Sequence, residues 1–359
     1  MLPSFPTVNI PPAAQLLPFL ALGVPLFAWR RRPSVPVAGA AVMACGIFGL
    51  AALPHLADAG GALQRVAALA VLALWGWCAL AFAQDWRGGT RPRMAVPMAR
   101  FAYGTWVAGT AVTASLIHAA LPQWTALYWA LCAFAAVLWL CFIPVALTAA
   151  RALLLAPAIP TITGAILLVT VSTQSLALLA MTLPLRGAAS VSATLIVLGA
   201  LGYGFGLASM LPSLARLRLR RLADEWDNGN CILHGAVSIT GLAAVESGLF
   251  GGSLCGALWL YAAAMFVVVE VVELLRMAAR IGAYGWRAAV FTYSASQWAR
   301  NFTFGMFYAF TAADHAHFGA RAGLAWLAPL QIPVLAIGAQ IVLALLIAEA
   351  ALALVARRE

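Results

Sequence analysis

Gln297, Arg300, Asn301 and Thr303 stand close together and alternate with Phe302, Phe304 and Phe307 in the stretch WRAAVFTYSASQWARNFTFGMFYAF, residues 286–310. A guanidinium, two amides and a hydroxyl at this spacing can hold an anion or pair with a carboxylate. Rings beside them can close a passage by excluding water. The stretch is long and apolar enough to cross a bilayer, where a charge at its centre costs about 2.5 kcal/mol or more against lipid. Something other than lipid must face it.

A 3.6-residue period divides the stretch into two faces. Tyr293, Gln297, Arg300, Phe304 and Phe307 share one; Phe291, Ala295, Trp298, Phe302, Gly305 and Ala309 share the other. A fixed cation lining a path attracts anions and repels cations. The alternative is a buried ion pair, with Glu270, Glu273 or Glu349 as partner. Both readings stay open on spacing alone. The glutamates lie toward helix ends, where they can instead reach the interface.

The elements that must position these residues are set by composition. The 359 residues are 64% hydrophobic and 9% charged, more apolar surface than one water-surrounded core can bury, so the chain is a polytopic membrane protein. All of the basic side chains are arginine, giving a formal charge of +10. They cluster in short loops between apolar runs, which speaks for cytoplasmic loops and against nucleic-acid binding. Cys45, Cys78, Cys132, Cys141, Cys231 and Cys255 lie in or beside apolar runs without a Cys-x-x-Cys pair, as buried free thiols would. No basic n-region precedes the first apolar run, so no signal cleavage is expected.

About eleven apolar runs approach the ~20 residues of a span, at 13–29, 37–55, 66–84, 101–119, 125–149, 161–183, 188–214, 231–250, 254–275, 288–311 and 324–355. Every second connection is basic, which places the C-terminus in the cytoplasm. The first run is short and broken by Pro18 and Pro25, and it reads as an added span or an interfacial segment. Residues 1–35 thus form an N-terminal segment and 36–359 a ten-helix membrane domain. Counting from the run at 37–55, hydroxyls and amides concentrate on odd helices. Thr105, Thr110, Thr113 and Ser115 lie on the third, Thr161, Thr163, Thr170, Ser172, Thr173, Gln174 and Ser175 on the fifth, and Ser238 and Thr240 on the seventh. Even helices are mostly Ala, Leu, Val and Trp. Helix packing alone explains small and hydroxylic residues; an inner ring of odd helices around a polar path explains why they alternate. The first helix, nearly all apolar, fits that ring poorly.

His55, His118, His234, His315 and His317 are scattered. His234 falls near the cytoplasmic start of the seventh helix, where it can line a mouth or pack. His315 and His317 read as a solvated outer loop beside Asp314. Haem or metal binding would need convergent imidazoles, and no cofactor is expected. Phosphate loops, nucleophile elbows and zinc-helix motifs are not found in the sequence, so no enzyme activity is expected. Gly202, Gly204 and Gly206 suit close packing better than nucleotide binding.

Four segments resemble one family in order. Gly104 to Thr110 (GTWVAGT) is similar to the third helix of the tellurite-resistance and dicarboxylate transporter family, whose plant relatives are slow-type anion channels. Thr170 to Ala177 (TVSTQSLA) looks like its fifth, and His234 to Ala243 (HGAVSITGLA) like its seventh. Trp298, Phe302, Gly305 and Met306 match the spacing of its ninth. The resemblance implies five helical hairpins in quasi-fivefold arrangement around a central pore, a homotrimer with one pore per subunit, and passage of small anions occluded by a phenylalanine. By motif that gate is Phe302, with Phe304 or Phe307 in its place if the face is reversed. Thr303 stands where family members often have proline. The helical period puts Phe302 opposite Arg300, which favours Phe302 inward and Arg300 toward an acidic neighbour.

The expected function is therefore an anion channel of a bacterial inner membrane, with Arg300, Gln297, Thr105, Thr110, Thr173, Gln174, Ser238 and His234 as lining or selectivity residues. A proton-coupled carrier for a dicarboxylate or a sulfite- or tellurite-type oxyanion is the second reading. A membrane haem or metal protein is the third. Small anions and the lipid bilayer are the expected partners.

Overall fold

Apolar runs of this length fold as helices, because in hydrocarbon the backbone must satisfy its own hydrogen bonds. The computed structural model describes residues 37–56, 61–87, 95–156, 161–218, 221–319 and 324–355. The expected N-terminal run at 13–29 lies outside the described residues. The others form α1 (Gly39–Leu56), α2 (Ala62–Arg87), α3 (Gly104–Ala120), α4 (Thr125–Leu154) and α5 (Leu168–Met181). They continue as α6 (Ala188–Ala215), α7 (Ile232–Ser247), α8 (Gly252–Val290), α9 (Gln297–Phe318) and α10 (Ala328–Val355). Among the described residues, seven helical stretches are long and apolar enough to cross a bilayer: α1, α2, α4, α5 and α10 with the 3-10 turns before them, α6 and α8. The chain is an all-α, multi-pass membrane protein.

Burial separates the helices into two sets. The spans at Gly39–Leu56 and Gly164–Met181 are 78% buried, whereas those on α2, α4, α6, α8 and α10 are only 22–33% buried and turn their leucines and valines outward. Nearly all of α3 and α7 is buried as well. The packing follows the same division. α1 packs on α3, α3 on α5, α5 on α7, α7 on α9 and α9 on α1, a closed cycle of odd helices. Each even helix packs on the odd helix before it and also on the next, with α10 returning to the Phe48–Ala52 turn of α1.

A repeated hydrogen bond fastens the outer set to the inner one. Trp75 of α2 donates its indole N–H to Thr110 of α3 at 3.0 Å, Trp139 of α4 to Thr173 of α5 at 3.0 Å, and Trp259 of α8 to Thr311 of α9 at 2.9 Å. Each threonine in turn donates to the carbonyl four residues earlier, Trp106, Val169 or Phe307. The hydroxyl thus satisfies both partners in apolar surroundings, worth about 0.6 kcal/mol per contact in membranes.

Two local breaks position α9. At Gly285 the chain takes φ 79° inside α8, a conformation that costs glycine little and other residues much, so Trp286 and Arg287 are offset from the straight helix. α8 has 39 residues, about 58 Å at 1.5 Å each, and outruns a ~30 Å hydrocarbon core. The expected span at 286–310 is corrected accordingly. Residues 291–296 form a connection in which Ser294 N–H donates to Gln297 Oε1 at 3.1 Å and the Ser294 and Ser296 hydroxyls bond at 2.7 Å. Serine and threonine compete here for backbone groups, so α9 starts at Gln297 and Arg300 sits in its first turn, not at mid-span. Close packing with α7 is allowed by Gly235, where a Cβ would overlap Thr303.

Candidate functional site

Arg300 is held by the first turn of α9 over the face of α8 that carries Glu270 and Glu273. Its Nη2 lies 3.0 Å from Glu273 Oε2 and its Nε 3.6 Å from Glu270 Oε1. Arg276, one turn beyond Glu273 on α8, approaches the same Oε2 at 3.4 Å and also donates to Asn228. Trp226 donates to the other Glu273 oxygen at 2.7 Å. Two guanidiniums therefore meet two carboxylates, and the Glu273 side chain is only 7% exposed. Of the three candidate partners Glu270 and Glu273 pair with Arg300. Glu349 is buried on α10 with its Oε1 lacking a hydrogen-bond partner. Glu273 does not reach for the interface as the sequence allowed, because protein donors already surround it.

His234, near the start of α7, is fully buried against this network. Its Nε2 is 3.9 Å from Glu270 Oε1, and neither ring nitrogen has a hydrogen-bond partner. Phe266 meets it edge-on at 4.9 Å and Phe304 at 6.1 Å. The imidazole and the carboxylate thus face each other with no hydrogen bond between them.

The network borders a cavity of about 1160 Å³ formed where α5, α7 and α9 begin and α6 and α8 end. Six arginines (216, 218, 221, 276, 280 and 300) line it against five carboxylates (Asp224, Glu225, Asp227, Glu270 and Glu273). The opposite charges of these lining residues nearly cancel. Gln297 lines it too. Asn230, 5% exposed, receives the Gly164 N–H at 2.8 Å and ties the start of α5 to that of α7.

The aromatic residues divide as the helical period requires. Phe304 packs edge-on to Phe266 at 4.8 Å, and Phe307 stacks on Phe266 at 4.9 Å and Trp259 at 6.0 Å, so both follow Arg300 onto α8. Thr303 and Phe310 meet α7 at Gly235 and Gly241, Asn301 and Tyr308 meet α10, and Gly305 meets Ile47 of α1. Phe302 and Met306, each 1% exposed, lie on the arc between the α1 and α7 rows.

The remaining expected lining residues are dispersed. Thr110 and Thr173 are engaged by Trp75 and Trp139 of outer helices, and Gln174 donates to Ile196 O of α6 at 3.0 Å. Thr105 is buried against Gly39 of α1 and bonds Ala102 O at 2.7 Å; Ser238 bonds His234 O at 2.7 Å. Two expectations elsewhere are corrected. His315 and His317 end α9 instead of lying in a loop, and Asp314 is buried, bonded by Gln331 Nε2 at 2.7 Å. Cys141 is exposed on α4, while the other five free thiols are buried. Among the described residues no group of three or more His, Cys, Asp and Glu is placed to hold a metal ion.

Sequence reasoning missed Trp226, Asn228 and Arg276, whose polarity at the basic end resembles any solvated loop. The one available signal was a tryptophan and two asparagines, Trp226, Asn228 and Asn230, just before a predicted helix start. No protein-family model, curated protein or solved structure matches the chain.

Proposed function

We propose that the protein transports small anions along the axis of the odd-helix cycle, as a channel of a bacterial inner membrane in which Phe302 occludes the path. The observation that carries this reading is the closed α1–α3–α5–α7–α9 cycle, with Phe302 buried on the arc of α9 that no assigned neighbour occupies. Five hairpins in quasi-fivefold order account for the cycle, for the step of each even helix onto the next odd one, and for the recurrence of the Trp–Thr bond at the same step. The likeness of four segments to the tellurite-resistance and anion-channel family supports the same arrangement and a trimer. The cavity is then the cytoplasmic vestibule, since the basic connections gather at its end. Arg300, committed to two glutamates, serves the wall of that vestibule and not the constriction.

Anion flux into proteoliposomes at set membrane potential tests this. Phe302→Ala should raise chloride or nitrate flux at least tenfold while Phe304→Ala, on the α8 face, leaves it within about twofold, since apolar constrictions gate by excluding water. Equal effects of the two substitutions would refute an axial gate.

A second reading, proton-coupled carriage of a dicarboxylate or oxyanion, is favoured by one observation, the open imidazole of His234 beside Glu270. Under it, uptake saturates, follows an imposed pH gradient, and loses that dependence in Glu270→Gln.

A further inference from the structure

Away from the odd-helix cycle, a groove of about 540 Å³ opens between α2, α3 and α4. Ala79, Phe82, Trp106, Phe134, Leu138 and Phe142 wall it. Two features interrupt this apolar lining. Trp106 is 7% exposed and its indole N–H has no hydrogen-bond partner, although Trp75, Trp139, Trp226, Trp259 and Trp298 all donate theirs. A buried donor left open at membrane depth is costly, so an acceptor belongs in the groove. The second feature is Arg87, exposed at the basic end of α2 and also lining the groove.

The dimensions point to one occupant. Along α4 the groove runs from Phe134 to Val145, about 16 Å of helix axis, which is about half of a ~30 Å hydrocarbon core. On α2 it occupies residues 79–87, the basic end of that helix, and on α3 the first turn, so it reaches from the basic boundary toward the bilayer middle, about the depth of a single leaflet. Its cationic mouth, its open donor a few residues inside and its apolar inner end follow the order phosphate, ester carbonyl, acyl chain.

We infer that this groove binds one anionic phospholipid of the adjoining leaflet, with its phosphate at Arg87, an ester carbonyl accepting from Trp106 Nε1, and an acyl chain between Ala79 and Phe134. The site is independent of the transport reading. Exposed Ala83 on its wall gives a way to fill it, and exposed Cys141 gives a reporter.

Native mass spectrometry of the purified full chain, titrated with phosphatidylglycerol or phosphatidylcholine of identical acyl chains, tests the site. The unmodified protein should retain one phosphatidylglycerol in preference to phosphatidylcholine, and that lipid should slow maleimide labelling of Cys141. Arg87→Gln should reduce the preference roughly fivefold, the worth of one basic residue near an anionic surface. Trp106→Phe should weaken both lipids alike, and Ala83→Trp should abolish retention. The circular dichroism of each variant establishes that the helices are kept, and exposed Arg87 provides the test even if Ala83→Trp misfolds. Equal retention of the two lipids by the unmodified protein, or full retention by Ala83→Trp with its helices intact, overturns the inference. So does oxidative cross-linking of Cys141 between two chains with no protection by phosphatidylglycerol, which would assign the groove to a second copy.

Discussion

At one end of α9 a guanidinium, Arg300, meets two carboxylates beside a large cavity; at the other, Asp314 is 1% exposed and meets the amide of Gln331, itself bonded to His315 at 3.0 Å. Both ends bury a carboxylate, Glu273 at one and Asp314 at the other. They differ in how charge is handled. Full ion pairs are kept where the cavity can hold water and share the desolvation cost, and a neutral amide serves where the side chain is enclosed.

The comparison is broken most sharply at its charged end. Arg300→Met leaves Glu270 and Glu273 facing each other with one of their two paired guanidiniums, that of Arg276, and should cost about 3 kcal/mol of stability, read as a shift in unfolding in detergent micelles. Adding Glu270→Gln and Glu273→Gln should return most of that loss, because Trp226 can still donate to the new amide. If the triple variant is no more stable than the single one, charge compensation is not what Arg300 supplies. At the enclosed end Asp314→Asn keeps an acceptor for Gln331 and should cost about 1 kcal/mol or less in the same assay. A loss as large as that of Arg300→Met would make the two ends equivalent and end the contrast. The smallest effect is expected away from either end. Trp139→Phe removes one indole donor and should cost about 0.6 kcal/mol, while Thr173→Val, which removes the acceptor, should add little more to it.

Much of this was legible in the sequence, for physical reasons that can be named. Apolar run length located the seven described helical stretches that are long and apolar enough to cross a bilayer, because backbone satisfaction in hydrocarbon permits few alternatives. Alternation of hydroxylic residues marked α3, α5 and α7, which the structure buries, but missed α1, which is buried as well. The period on α9 separated Phe302 from Arg300, and the glutamates of α8 were named as partners. What was not legible is the direction in which the hydroxyls point. Thr110 and Thr173 looked like lining for a polar path, yet they satisfy tryptophans on neighbouring outer helices, a relation between residues 34 or 35 positions apart that no local period reveals. The start of α9 was also hidden. Trp286, Phe291 and Tyr293 supply hydrophobicity, and only the φ of Gly285 and the serine hydrogen bonds show that the chain bends there.

The Trp–Thr bond has a consequence for biosynthesis. In all three instances the donor precedes its acceptor in the chain, with the indole on one helix and the hydroxyl on the next. For helices that enter a membrane in chain order, the indole of each pair arrives first and the hydroxyl of the following helix satisfies it. The last described helix, α10, packs back on α1.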